Sequence, residues 1–152
     1  MLVTLTPEEM DAAFTLAKAR NQPHLANKHG CQEGNSQRVH DIGAKAEFAA
    51  AKGLCLPYMA TVNTFRSQPD LRNLEIRGRS QPWHDLIIRK DDNPDSPYVL
   101  VVQESENTFR IVGWIMGKDA QKSEWLASHG GREEAWFVPQ NALESLETLN
   151  IC

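Results

Sequence analysis

Cysteine is scarce in this chain. Only Cys31, Cys55 and Cys152 occur, with no CxxC pair among them. An odd, widely spaced set is poor material for a disulfide framework, so reduced thiols in a cytoplasmic compartment are expected. No apolar run approaches the roughly 20 residues that a membrane-crossing helix needs. The opening MLVTLTPEEM has no basic stretch leading into an apolar one, so neither an export signal nor a membrane partner is predicted. GxSxG, Walker-type and HExxH motifs are also missing, which removes support for the hydrolases and nucleotide-binding proteins that depend on them. Gly130-Gly131-Arg132 is too short and isolated to cradle a phosphate and reads as a turn. His24, His29, Cys31 and Cys55 match no zinc spacing. Positive charge is not in excess: 16 Lys and Arg face 20 Asp and Glu, for a net charge of -4. That total does not advertise a nucleic-acid binder and does not exclude one, since a local basic strip can coexist with it.

The 152 residues, 41% hydrophobic and 24% charged, suit one ordinary globular domain over residues 1–152 with a sizeable core. Thr6-Pro7-Glu8-Glu9 is a helix start, with a capping threonine, a proline at the first helical position and early acids. The pattern predicts a helix over residues 7–20. Residues 27–38, rich in Gly, Asn, Gln and Ser, read as a loop. A second helix is predicted over residues 39–53, with Val39, Ile42, Ala46, Ala49 and Ala50 on its apolar face. Short strands are then predicted at 60–65, 74–78, 85–89, 98–103 and 109–116. A short helix at 119–127, a strand at 135–138 and a final helix capped by Asn141 complete the order. That order is α/β in the α+β sense: a central mixed sheet flanked by helices. The Trp114 and Trp136 indoles are expected in packing roles, their N–H groups satisfied.

Two places hold acids where a fold ordinarily prefers apolar residues. Glu47 lies at the border of the second helix's apolar face, with Gly43, Ala44, Ala50 and Ala51 as its neighbours one turn away. Small residues there let another backbone approach closely, although a solvated glutamate has the same spacing and is commoner. In PDLRNLEIRGR, Asp70 precedes a tight connection, and Glu75 and Arg77 share one face of the next strand while Leu74 and Ile76 share the other. An aspartate at a bend and a glutamate on a strand can converge on one hard divalent cation. A surface hairpin carrying a Glu–Arg pair is the plainer alternative, and a shifted register would put Asp85 in place of Glu75. Arg66, Arg72, Arg77, Arg79, Arg89 and Lys90 cluster around this segment, where they can contact phosphates or serve as ordinary surface charge. His84 follows directly and can move a proton, contact phosphate or shape a turn.

The order of a helix with Ala-Glu, then Pro-Asp, then a Glu-x-Arg strand resembles the PD-(D/E)XK nuclease superfamily. The stretches LEIRGRS, HDLIIRKDD, YVLVV, FRIVGWIMGKDA, EWL and AWFVPQNAL look like a group of small phage and bacterial proteins with that core. The resemblance spans most of the chain after Gly43. It implies a restriction-endonuclease-like αβββαβ core and Mg²⁺- or Mn²⁺-dependent cleavage of DNA. Asp70, Glu75 and Glu47 would be metal ligands, the Ile76 carbonyl a further one, and Arg77 would stand in the lysine position. Arg66, Arg72, Arg79 and His84 would contact nucleic acid, and a homodimer is admitted, since many such enzymes cut two strands as dimers. Arginine in place of lysine departs from the pattern, because it does not readily lose its proton. Only four residues separate Asp70 from Glu75, a compressed connection. A catalytically degenerate protein of the same fold, binding nucleic acid or a protein partner without cleavage, is the alternative reading.

Overall fold

A computed structural model describes residues 1–20, 33–54 and 74–149. Strand β1 (Leu2–Thr4) leads into helix α1 (Pro7–Arg20), and helix α2 (Glu33–Gly53) follows. Then come β2 (Glu75–Arg79), β3 (Leu86–Arg89), β4 (Pro97–Gln103), β5 (Thr108–Met116), β6 (Leu126–Ala127) and β7 (Ala135–Val138). Helix α1 begins as its sequence requires. The Thr6 hydroxyl accepts from the Glu9 amide at 3.2 Å, and the Glu9 carboxylate accepts from the Thr6 amide at 2.8 Å, a reciprocal capping box. Lys52, in the last turn of α2, donates to the same Glu9 carboxylate and to the Thr4 carbonyl, tying the two helices and β1 together.

The strands form a four-stranded mixed sheet in the order β1-β5-β4-β2 and a three-stranded sheet in the order β3-β7-β6. Within the first, β2 runs parallel to β4 and the other pairings are antiparallel. Strand β4 lies between two apolar layers, as its alternation dictates. Val99 and Val101 pack with Ala46, Ala49 and Ala50 of α2, while Tyr98, Leu100 and Val102 pack with Leu86, Ile88 and Val138 of the second sheet. Helix α1 covers α2 through Ala13, Leu16, Ala17 and Ala44. Among the described residues the α helices therefore lie on one face of the mixed sheet, and the second sheet occupies the other. No helix among these residues is long and apolar enough to cross a membrane.

The predicted strands at 74–78, 85–89, 98–103, 109–116 and 135–138 appear within a residue of their expected ends. Three expectations fail. Helix α2 starts at Glu33, so residues 33–38 are helix and not loop. Extending an established helix costs far less than nucleating one, which outweighs the poor propensity of Gly34, Asn35 and Ser36. Residues 119–127 form no α helix. Short 3-10 turns at Gly117–Ala120 and Ser123–Trp125 are followed by β6, whose Leu126 and Ala127 pair with Trp136 and Ala135. The final helix is likewise replaced by 3-10 turns at Gln140–Ala142 and Leu146–Thr148. Between them Glu144 exchanges main-chain hydrogen bonds with Trp114 at 2.8 and 3.1 Å, and the Trp114 indole N–H reaches Thr148 Oγ1 and the Ser145 carbonyl. The backbone groups an α helix needs are spent on the sheet. The predicted strand at 60–65 and the three cysteines lie outside the described residues, as do His24 and His29.

Candidate acid and arginine site

Glycine sets the position of this site. A Cβ on Gly78 of β2 would stand 2.8 Å from the Ala46 Cβ and 3.0 Å from the Ile42 carbonyl oxygen. Helix and strand therefore meet backbone to backbone, and the next residue along the helix is Glu47. Glu47 is only 6% exposed, so the solvated alternative does not hold. Along β2, Leu74 and Ile76 are buried in the core, and Glu75 and Arg77 lie half-buried on the other face, as the alternation predicts.

The charges are mutually dependent. Burial raises the Glu75 carboxyl above the ordinary glutamate range; Arg77 opposes the rise, and the negative charges of Asp92 and Glu47 add to it. Burial works against the Arg77 guanidinium, yet Asp92, Tyr98 and Glu75 outweigh it and hold that group above its usual value. Arg77 Nη2 donates to Asp92 Oδ1 at 2.9 Å, and the guanidinium lies 5.0 Å from the centre of the Tyr98 ring. The other Asp92 oxygen accepts from the Arg89 amide at 2.8 Å. Asp92 thus fastens Arg77 to the exit of β3. The Tyr98 phenol, desolvated and facing Asp92, is pushed up to about 12 despite Arg77, and it donates to the Asn93 carbonyl.

Arg79 continues the row from Arg77 and donates to the Asp85 carbonyl. Burial lowers its proton affinity, Asp85 opposes this, and Arg89 adds repulsion. Asp85 acts on Arg79 and His84, while Glu75 stands on β2 with its Cα paired to that of Tyr98. His84 Nδ1 is buried and meets no hydrogen-bond partner among the described residues. Desolvation and Arg79 lower the proton affinity of this imidazole, against Asp85. The segment carrying it is held from outside: Gln140 Nε2 donates to the Pro82 and His84 carbonyls, and Arg110 Nη2 to Pro82 as well. That clamp leaves Trp83 72% exposed beside His84.

The structure thus gathers Glu47, Glu75 and Arg77, with Arg79 and His84 further along the same strand and loop. Asp70, Arg66 and Arg72 lie outside the described residues. Sequence reasoning missed Asp92, hidden in a DDNPDSP segment that reads only as a turn, and Gln140, whose role depends on a distant loop. Glu47 and Glu75 offer the hard oxygen donors that Mg²⁺ takes, one or two carboxylates being its usual protein complement. No group of three or more His, Cys, Asp or Glu side chains among the described residues is placed to hold a metal ion. No family model, curated protein or solved structure matches the chain.

Proposed function

We propose that this chain is a metal-dependent nuclease of restriction-endonuclease-like type that hydrolyses DNA phosphodiester bonds with Mg²⁺ or Mn²⁺. The observation that carries the reading is Glu75: a half-buried carboxylate on β2 whose ionisation is opposed by burial, with Asp92 and Glu47 adding to it against Arg77. Perturbed acids of that kind concentrate at functional sites. Glu75 and Glu47 would hold the cation, with Asp70 as the further donor that the motif implies. When bound, the metal supplies Lewis acidity, lowering the pKa of a water and stabilising developing negative charge. Arg77 would meet the phosphate with a charge fixed in place by Asp92 and Tyr98, so little reorganisation accompanies binding. Arg79 and His84 would contact the strand beyond the scissile bond, the His84 ring as a neutral hydrogen-bonding group. A homodimer would bring two such sites to the two strands of a duplex.

The test is Mn²⁺ calorimetry together with cleavage of end-labelled DNA, on the wild type and Glu75→Gln. Metal binding and cutting by the wild type, both lost in the variant, are expected. A folded wild type that binds no metal even with DNA present and never cuts would overturn the enzymatic reading. One observation favours the second reading, a degenerate binding protein. Asp92 already occupies Arg77, the residue standing where the nuclease motif has lysine. In that case DNA binding needs the arginines and ignores divalent ions, and Arg77→Lys creates no cleavage.

A further inference from the structure

The second sheet carries a groove that shares only Arg79 with the acid site. Along β3, Leu86 and Ile88 turn into the core, which leaves Ile87 and Arg89 on the outer face. Register pairs Ile87 with Phe137 and Arg89 with Ala135 of β7. The segment after β6 passes beside this face through Gly130 and Gly131, both at positive φ (63° and 73°), a conformation glycine adopts without strain. The resulting groove has a volume of about 490 Å³. Its floor is Ile87 and Phe137, and the His129 ring stands edge-on to Phe137 at 4.6 Å. Arg79, Arg89 and Arg132 line it, against a single acid, Glu133.

Three guanidinium groups on one groove are unusual in a chain whose net charge is -4. None of them forms a salt bridge among the described residues. Arg79 feels the attraction of Asp85 and a smaller repulsion from Arg89. Three guanidinium groups facing a single lining acid are complementary to an anion, and planar guanidinium suits phosphate oxygens in particular. An apolar, ring-bearing floor beside the cations suits a flat heterocycle, and the volume falls in the range of small-ligand sites.

We propose that this groove binds one nucleotide unit of a nucleic-acid strand, its phosphate held by Arg79, Arg89 and Arg132 and its base placed over Ile87 and Phe137. The assignment deepens the nucleic-acid reading by adding a subsite, built partly from Arg132, His129 and Phe137, beyond the acid site. Asp92 links the two places, accepting from Arg77 on one side and from the Arg89 amide on the other. A strand whose phosphate meets Arg77 would have its neighbouring nucleotide directed toward this groove.

Deoxyadenosine 5′-monophosphate, deoxyadenosine and inorganic phosphate serve as probes, titrated by NMR or calorimetry without divalent ions. The proteins are the wild type, Arg132→Ala, Arg89→Ala and Phe137→Leu, with folding of each checked by circular dichroism. The nucleotide should bind at least tenfold more tightly than either the nucleoside or phosphate. Either arginine change should weaken it about tenfold or more, and Phe137→Leu should remove its advantage over phosphate. No nucleotide binding by the folded wild type, or binding indifferent to both arginine changes, overturns the proposal. Phosphate binding as tightly as the nucleotide also overturns it, leaving an anion site only. Cleavage does not enter the readout, so a protein that never cuts DNA can pass, and an active nuclease can fail.

Discussion

Half-buried on β2, Glu75 ionises less readily than a free glutamate because burial strips its water, while Asp92 and Glu47 add repulsion that Arg77 only partly offsets. The sign follows directly. A carboxyl raised in the folded state binds more protons there than in the unfolded chain, so its ionisation removes stability as pH rises past the ordinary value of 4.5. Glu75→Gln should therefore stabilise the fold at neutral pH, by roughly 1–2 °C in melting temperature, kept small because the side chain still sees solvent. If the same variant also loses metal binding or cleavage, stability and activity move in opposite directions, as they do where function maintains strain. A variant that melts lower would refute the electrostatic account. His84 and Glu9 behave oppositely to Glu75, each in its own window. Desolvation and Arg79 lower the His84 imidazole below its ordinary 6.5, against Asp85. The unfolded chain then binds the extra proton, and stability falls as pH drops below that value. Urea unfolding between about pH 7 and pH 5 should show this slope in the wild type and a flatter one in His84→Asn. The Thr6 amide, with Lys52, lowers Glu9 below 4.5 despite partial burial. Its contribution is intact above that pH and is lost only as pH falls through the lower folded value, a later step that Glu9→Gln should remove.

Among the elements, the α2–β2 contact is the one that brings Glu47 to Glu75. Gly78→Ala puts a methyl group where Ala46 and the Ile42 carbonyl already stand. The helix must shift, which should cost about 1–3 kcal/mol and several degrees of melting temperature. Glu47 moves with it, so if the proposed metal site exists its affinity should weaken although no acid has been touched. A melting temperature unchanged by this substitution would mean the interface has slack. The same contact shows what the sequence could and could not reveal. The strands were readable because alternation places Leu74 and Ile76 inward and Glu75 and Arg77 outward, and because β4 is apolar on both faces. Glu47 was singled out by its small neighbours, but its burial depends on Gly78, which is far away in the chain. Asp92 and Gln140 were illegible for the same reason, since their partners Arg77 and Pro82 are set by tertiary structure. Residues 119–127 and 141–149 carry helix-like patterns that lose to pairing with β7 and with Trp114, an outcome propensity cannot anticipate.

Across the whole molecule, an acidic total coexists with a row of arginines running from Arg77 through Arg79 to Arg89. If those three neutralise DNA phosphates, affinity should fall roughly 30–50-fold between about 50 and 200 mM salt. Replacing Arg79 with alanine should shallow that dependence by about one contact. A salt-independent affinity would mean the acidic surface dominates and DNA is not the ligand. The sheet order has another consequence, for the time course of folding. Strand β1 closes the mixed sheet by pairing Leu2, Val3 and Thr4 with Arg110, Phe109 and Thr108. During synthesis those first residues must wait until more than a hundred others have left the ribosome. Until then β2 and β4 can already lie on the alanine face of α2, but the edge of β4 that β5 takes stays unpaired. Contacts between such distant residues form slowly, and the unpaired edge stays open to other chains in the interval. A nascent chain arrested before β5 emerges should therefore be the species that proteases and chaperones capture.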